Sequence, residues 1–170
     1  LPIRQILPDL LMTQLLAADV YATFVKYAEG EEETLWQEML STELSNVRFA
    51  GMLLEEEVLP PLELPPVKLE AFRELCRNAR EYAPQSAFER TLWALRVEHA
   101  EIDFGLERLA ANVVSHAPET PVYPGRLHEQ YNRLLEWSQR YKGAREIAIQ
   151  VARIEEHLPR MSDSGIQQNP

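Results

Sequence analysis

Apolar residues recur along most of this chain at intervals of three and four, the spacing of a helix with one buried face, and no stretch alternates convincingly as a strand would. The pattern predicts an all-α fold. A first helix runs from about Pro8 to Glu29, with Leu11, Leu15, Ala18, Ala22 and Val25 on one face and Gly30 as its stop. A second runs from about Glu32 to Val58; its acidic start, Glu31-Glu32-Glu33, suits the helix dipole, and Pro60-Pro61 ends it. Leu59 to Pro66 holds four prolines in eight residues and cannot be helical. A short helix over Leu69 to Tyr82 follows, closed by Pro84. A third long helix extends from Ser86, a candidate N-cap, to Val114, and Ser115 to Gly125, with Pro118, Pro121 and Pro124, is a loop. The fourth covers Leu127 to Leu158, weakened at Gly143 and closed by Pro159. Residues 1–160 read as one domain, and Met161 to Pro170 as a polar, frayed tail.

The connections say more than the helices. A tight link makes helices one and two antiparallel neighbours, a moderate loop joins three and four, and a long link, Leu59 to Gln85, lies between the pairs. Four helices with one long central crossover account for that spacing better than an up-down-up-down bundle. A weak internal echo agrees with two similar halves: Ala18 to Phe24 can be laid over Glu98 to Phe104, and Glu43 to Asn46 over Ile154 to His157.

Composition narrows the partners. The 170 residues suffice for one sizeable core. A net charge of −10, with no basic stripe, argues against nucleic acid and anionic membrane surfaces. No apolar run is long enough for a transmembrane helix, and Leu1 to Leu16, interrupted by Arg4, Gln5, Asp9, Thr13 and Gln14, reads as an amphipathic helix rather than a signal peptide. The lone Cys76 cannot make an intrachain disulfide; it reads as a packing residue, and a cytoplasmic location fits. The chain starts without an initiator Met, which leaves room for residues upstream of Leu1.

Three polar residues interrupt the apolar stripes. Glu43 stands among Trp36, Met39, Leu40, Val47 and Ala50; Glu98 among Ala94, Leu95, Ile102 and Leu109; His157 among Ile147, Val151, Ile154, Leu158 and Met161. A carboxylate or imidazole in a core-facing row is costly unless something pairs with it. Three such groups on three helices can converge at the centre of a bundle, where a metal ion is the usual reason. Plainer readings compete: Glu43 paired with His157, or His157 as an exposed cation at a helix end. Glu101 and Asp103 read as solvated, His99 as a surface residue pointing away from Glu98, and Glu55-Glu56-Glu57 as an exposed helix end. His116 and His128 carry no signal. Glycine-rich phosphate loops, zinc-type Cys/His spacings and nucleophile elbows are missing.

Tyr27-Ala-Glu-Gly30, Leu35 to Asn46, Ala94 to Phe104 and Ala152 to Leu158 resemble the rubrerythrin-like branch of the ferritin-like superfamily over roughly residues 10–160. The resemblance implies a ferritin-like four-helix bundle with its long crossover between helices two and three. Such bundles hold two metals on one Glu from each of two helices and a Glu-x-x-His pair from each of the others. Carried over by position, the set is incomplete. The helix-one Glu falls at Ala18, with Asp19 off the face; the helix-two pair is Glu43 with Asn46; the helix-three Glu is Glu98; the helix-four pair is Ile154 with His157; Glu101 stands at an extra carboxylate position. The resemblance thus implies a degenerate site of Glu43, Glu98, Glu101 and His157. It would take at most one ion, iron or another divalent metal, with no full di-iron centre and residual or no oxidoreductase activity. A homodimer is expected along helices one and two, where Tyr21, Phe24, Tyr27 and Phe49 exceed what one core stripe needs. A non-catalytic dimeric interaction module is the alternative. A hemerythrin-like cation-binding bundle, on Leu54 to Leu62, Glu98 to Ile102 and Ile154 to Leu158, ranks lower: the histidines needed four residues before Glu56 and before Glu155 or Glu156 are Met52, Val151 and Ala152. If Glu98 is only a relic, Glu98→Leu is expected to be neutral or stabilising.

Overall fold

The computed structural model describes residues 1–59, 61–105, 109 and 124–157. They form six α-helices and, among the described residues, no strand: α1 (Ile3–Tyr27), α2 (Gly30–Glu55), α3 (Leu69–Tyr82), α4 (Ala87–Asp103), α5 (Pro124–Ser138) and α6 (Arg145–Glu155), with a 3-10 turn, Gln139–Tyr141, between the last two. The expected all-α class holds. The predicted tail, His116 and the loop as far as residue 123 lie outside the described residues.

Helix α1 begins at Ile3, ahead of the predicted Pro8, and carries that proline inside it. Contacts far away in sequence secure the extra turn. The Ile3 N–H donates to the Leu62 carbonyl at 3.1 Å, and the Leu64 N–H to that of Leu1 at 3.0 Å. The proline-rich link thus clamps the helix start, which offsets the backbone hydrogen bond a proline cannot make. After α1 the chain turns through Gly30, whose φ of +62° suits glycine. Helix α2 then runs back beside α1, so that Arg4 reaches the carbonyls of Glu56 and Glu57 at 3.2 and 2.9 Å. The expected antiparallel pair is present.

The buried face of α1 is not the predicted one. Leu7, Leu10, Gln14, Ala17, Tyr21 and Phe24 point inward, whereas Leu15 is 44% exposed. One residue of offset is about 100° of rotation. Aromatic packing decides it: Tyr21 stacks on Trp36 with centroids 6.0 Å apart, and Phe24 meets the same indole edge-on at 5.1 Å.

Helix α4 runs the same way as α2. Near the start of both, buried Arg90 grips Glu32 (Nη2 to Oε2, 3.0 Å), Trp36 Nε1 donates to Glu32 at 2.8 Å, and Arg90 Nη1 donates to the Ala83 carbonyl at 2.7 Å. Ser86 caps α4 as expected, accepting from the Glu89 N–H at 3.1 Å. Helix α3 lies against α1 and α4 and runs opposite to α4, with Phe72 on Phe104 at one end and Tyr82 stacked on Trp93 at the other. Helix α4 ends at Asp103 rather than Val114, because Gly105 takes up φ +79°. Beyond Gly105 only Leu109 of the predicted span is described; it is helical and buried.

The single fourth helix predicted over Leu127 to Leu158 is two helices. Helix α5 runs opposite to α2 and α4, tied by Arg133 to Glu38 at 2.9 Å and by Trp137 Nε1 to Thr91 at 3.0 Å. Helix α6 then returns along α4, from the contact of Phe88 with Tyr141 to that of His99 with His157. The break has a physical cause. The buried row of α5 ends at Ser138 and that of α6 starts at Ile147. At 100° per residue these positions lie about 180° apart, so an unbroken helix could not bury both.

Candidate metal centre

Glu43 sits midway along α2 in the inward row of Trp36, Met39 and Ala50. Glu98 and Glu101, three apart on α4, share the face turned towards it. Each of the three brings a carboxylate oxygen within 4.8 Å of the other two. All are buried, at 0%, 1% and 3% exposure. Two further helices contribute. From α1 the Tyr21 hydroxyl donates to Glu98 Oε1. From α5 the Gln130 amide nitrogen donates to Glu43 Oε1 at 3.1 Å and to Glu98 Oε1 at 2.9 Å. Among the described residues, Glu43 Oε2, Glu101 Oε1 and Gln130 Oε1 are buried without a hydrogen-bond partner.

The electrostatics follow from the burial. Desolvation pushes the Glu43 carboxyl up to about 7, although Glu101 and the Gln130 and Asn46 amides pull it back. Burial and the charges of Glu43 and Glu98 hold Glu101 well above the usual carboxylate range. The Tyr21 phenol is raised by burial and by the same carboxylates, so it stays a donor. Desolvation likewise pushes the thiol of buried Cys76, on α3, up to about 12. Three carboxylates in a dry space must either take up protons or neutralise a cation.

No family model, curated protein or solved structure matches the chain.

The donor set is close enough together to hold a metal ion. Three carboxylates supply the charge, and unpartnered oxygens on Glu43, Glu101 and Gln130 supply free lone pairs. Of the four residues expected at the site, Glu43, Glu98 and Glu101 come together and His157 does not. His157 lies in the turn after α6, half-exposed; its Nδ1 pairs with the Arg153 carbonyl at 2.9 Å and its ring packs on His99. Two plain readings change as well. Glu101 is buried rather than solvated, and His99 is half-buried, with burial lowering its pKa. Ala18 and Ile154, two of the positions where the resemblance would call for ligands, are buried, Ile154 within the apolar core. The hemerythrin-type residues Glu56, Glu155 and Glu156 are exposed and, among the described residues, join no such cluster.

The sequence pattern assigns Tyr21 to a dimer surface and gives Gln130 no role, yet both reach the carboxylates. Tyr21 is hidden by the one-residue offset of α1. Gln130 had a signal: it is a polar residue in the row that Tyr131, Leu134 and Leu135 bury, and a break predicted from the two out-of-phase stripes would have turned attention to it.

Proposed function

We propose that the chain is a ferritin-like, rubrerythrin-related bundle whose degenerate carboxylate site holds one divalent cation, iron or another, between Glu43, Glu98 and Glu101, with residual or no oxidoreductase activity. The convergence of three buried carboxylates within 4.8 Å carries this reading. The course of the chain supports the ferritin-like part. Helices α2 and α4, joined by the long link that contains α3, run in the same direction, and α1 and α5 run against them, each adding a polar group to the centre. A charge of −3 on the carboxylates more than neutralises one divalent ion and falls short of two. A homodimer along α1 and α2 belongs to the same reading, supported by the exposed apolar side chains Leu15, Tyr27, Leu44 and Met52 on those helices.

One observation favours the non-catalytic module instead: Glu43 is raised to about 7 and Glu101 is held well above the usual carboxylate range, so these two carboxyls can shed their charge by protonation without a cation. The test is metal content of protein purified without chelator, together with melts in Fe(II), Mn(II) or Zn(II). Glu101→Gln is the informative variant, because it removes one charged ligand while the amide keeps the side chain's length and can still hydrogen-bond Glu43. Glu98→Leu no longer serves, since it would leave the Tyr21 hydroxyl buried without its acceptor and take one of the Gln130 amide's two. Wild type should bind one equivalent and melt higher with metal, and Glu101→Gln should lose most of that rise. No bound metal and no shift with any ion would leave the module reading.

A further inference from the structure

We infer that Gln130 is a ligand of the proposed centre and the residue that sets its cation preference, making the site an all-oxygen one suited to hard ions of the manganese and magnesium kind. The inference rests on the one-metal reading above and deepens it. Gln130 is 3% exposed, and its amide nitrogen stands 3.1 and 2.9 Å from the Glu43 and Glu98 oxygens. Around an octahedral ion with metal–oxygen distances of about 2.1 Å, neighbouring donors lie about 3.0 Å apart. The amide end therefore already occupies a ligand's position relative to two carboxylates. Its Oε1 is buried and without a partner among the described residues. Turning the amide over about its last bond puts that oxygen where the nitrogen now sits. The nitrogen's bonds to the carboxylates are given up, and a cation between the same oxygens replaces them.

The donors then gathered are three carboxylates and one amide oxygen, with the Tyr21 phenol hydrogen-bonded to Glu98. Oxygen donors suit magnesium, manganese and calcium, whereas imidazole and thiolate draw zinc and copper. An imidazole at this position would bring a nitrogen donor into the set. A glutamine keeps the set hard and adds no charge to an already acidic pocket.

The experiment compares Mn(II) and Zn(II) affinities by titration calorimetry for the wild-type protein, Gln130→His and Gln130→Glu. Gln130→Glu keeps an oxygen donor and should leave the zinc-to-manganese affinity ratio near the wild-type value. Gln130→His should raise that ratio by about tenfold or more, the scale on which changes near a metal alter affinity. A second measurement needs no variant: Co(II) bound to wild type should give the weak visible bands of a six-coordinate, all-oxygen ion, the four side chains being completed by second carboxylate oxygens or water. Intense bands from a four-coordinate ion, or a thiolate charge-transfer band from Cys76, would overturn the inference. So would a ratio that Gln130→His leaves unchanged while wild type binds metal, which removes Gln130 from the ligands but spares the one-metal reading. Wild type that binds no ion at all overturns both.

Discussion

Glu43 and Glu32 lie three turns apart on α2 and respond to pH in opposite senses. Burial raises the Glu43 carboxyl from 4.5 to about 7. Its contribution to stability is therefore complete below about pH 4.5 and is lost as pH rises through 7. Burial also works to raise Glu32, but Arg90 and the Trp36 N–H outweigh it and hold that carboxyl below its usual value. Its contribution is present above the usual carboxylate range and is lost as pH falls through its lowered value. In chelator, the unfolding free energy of the metal-free protein, read from urea melts, should fall between about pH 4.5 and pH 7, by no more than about 1.4 kcal/mol per pH unit for each proton released. Glu43→Gln should flatten that limb, and saturating metal should reverse its slope. A midpoint flat across that range would show that Glu43 titrates as an ordinary carboxylate. Glu43 and Glu98 were legible in the sequence because each interrupts an apolar row. Glu101 was visible only as a position in a pattern, since its own neighbours look like those of a solvated residue.

At the level of elements, the ends of α4 fix where Glu98 and Glu101 stand. Gly105 closes the helix with φ +79°, and a Cβ there would meet Leu64 Cδ2 at 3.2 Å. Gly105→Ala should cost about 1–2 kcal/mol from the left-handed backbone alone. Ser86→Ala at the other end should cost about 1 kcal/mol through the lost cap. Urea denaturation of both variants checks these values, and a Gly105→Ala change under a few tenths of a kcal/mol would show that the turn relaxes freely. Helix existence was legible from periodicity almost throughout. The direction in which α1 faces was not, because two rows of that helix are apolar and only the packing of Tyr21 and Phe24 against Trp36 selects one. The end of α4 was missed because Gly105 sits inside a run that otherwise continues the helical pattern.

For the whole molecule, Tyr27 is the one residue first expected at the dimer face that still supports the proposed dimer, beside Leu15, Leu44 and Met52. Tyr21 and Phe24 are completely buried within the chain, so they leave nothing for a partner. Leu15, Leu44 and Met52, each over 40% exposed, lie on the two helices where pairing is proposed. Light scattering at micromolar concentration should give about twice the 19.6 kDa chain mass, and Leu44→Glu with Met52→Glu should return it to the monomer value. A wild-type mass of one chain would end the dimer proposal without touching the metal centre. Among the described residues no helix is long and apolar enough to cross a membrane. The antiparallel start of the fold was legible because Gly30 leaves so short a link. The break between α5 and α6 depended on comparing stripe phases across Gly143.

Cys76 gives the fold a built-in chemical probe. It is the chain's one thiol. It is wholly enclosed on α3, and the nearby acidic charges of Glu43 and Asp19 add to the burial that keeps it protonated. A thiol-specific dye can reach it only when α3 lifts away, so the labelling rate measures how often that helix opens rather than how reactive the sulfur is. Labelling of native protein should be at least about a hundredfold slower than in urea, and slower again with a cation bound, because the ion ties α2 to α4 beneath the helix. Equal rates with and without metal would mean that α3 opens independently of the carboxylate centre, whose charges reach Cys76.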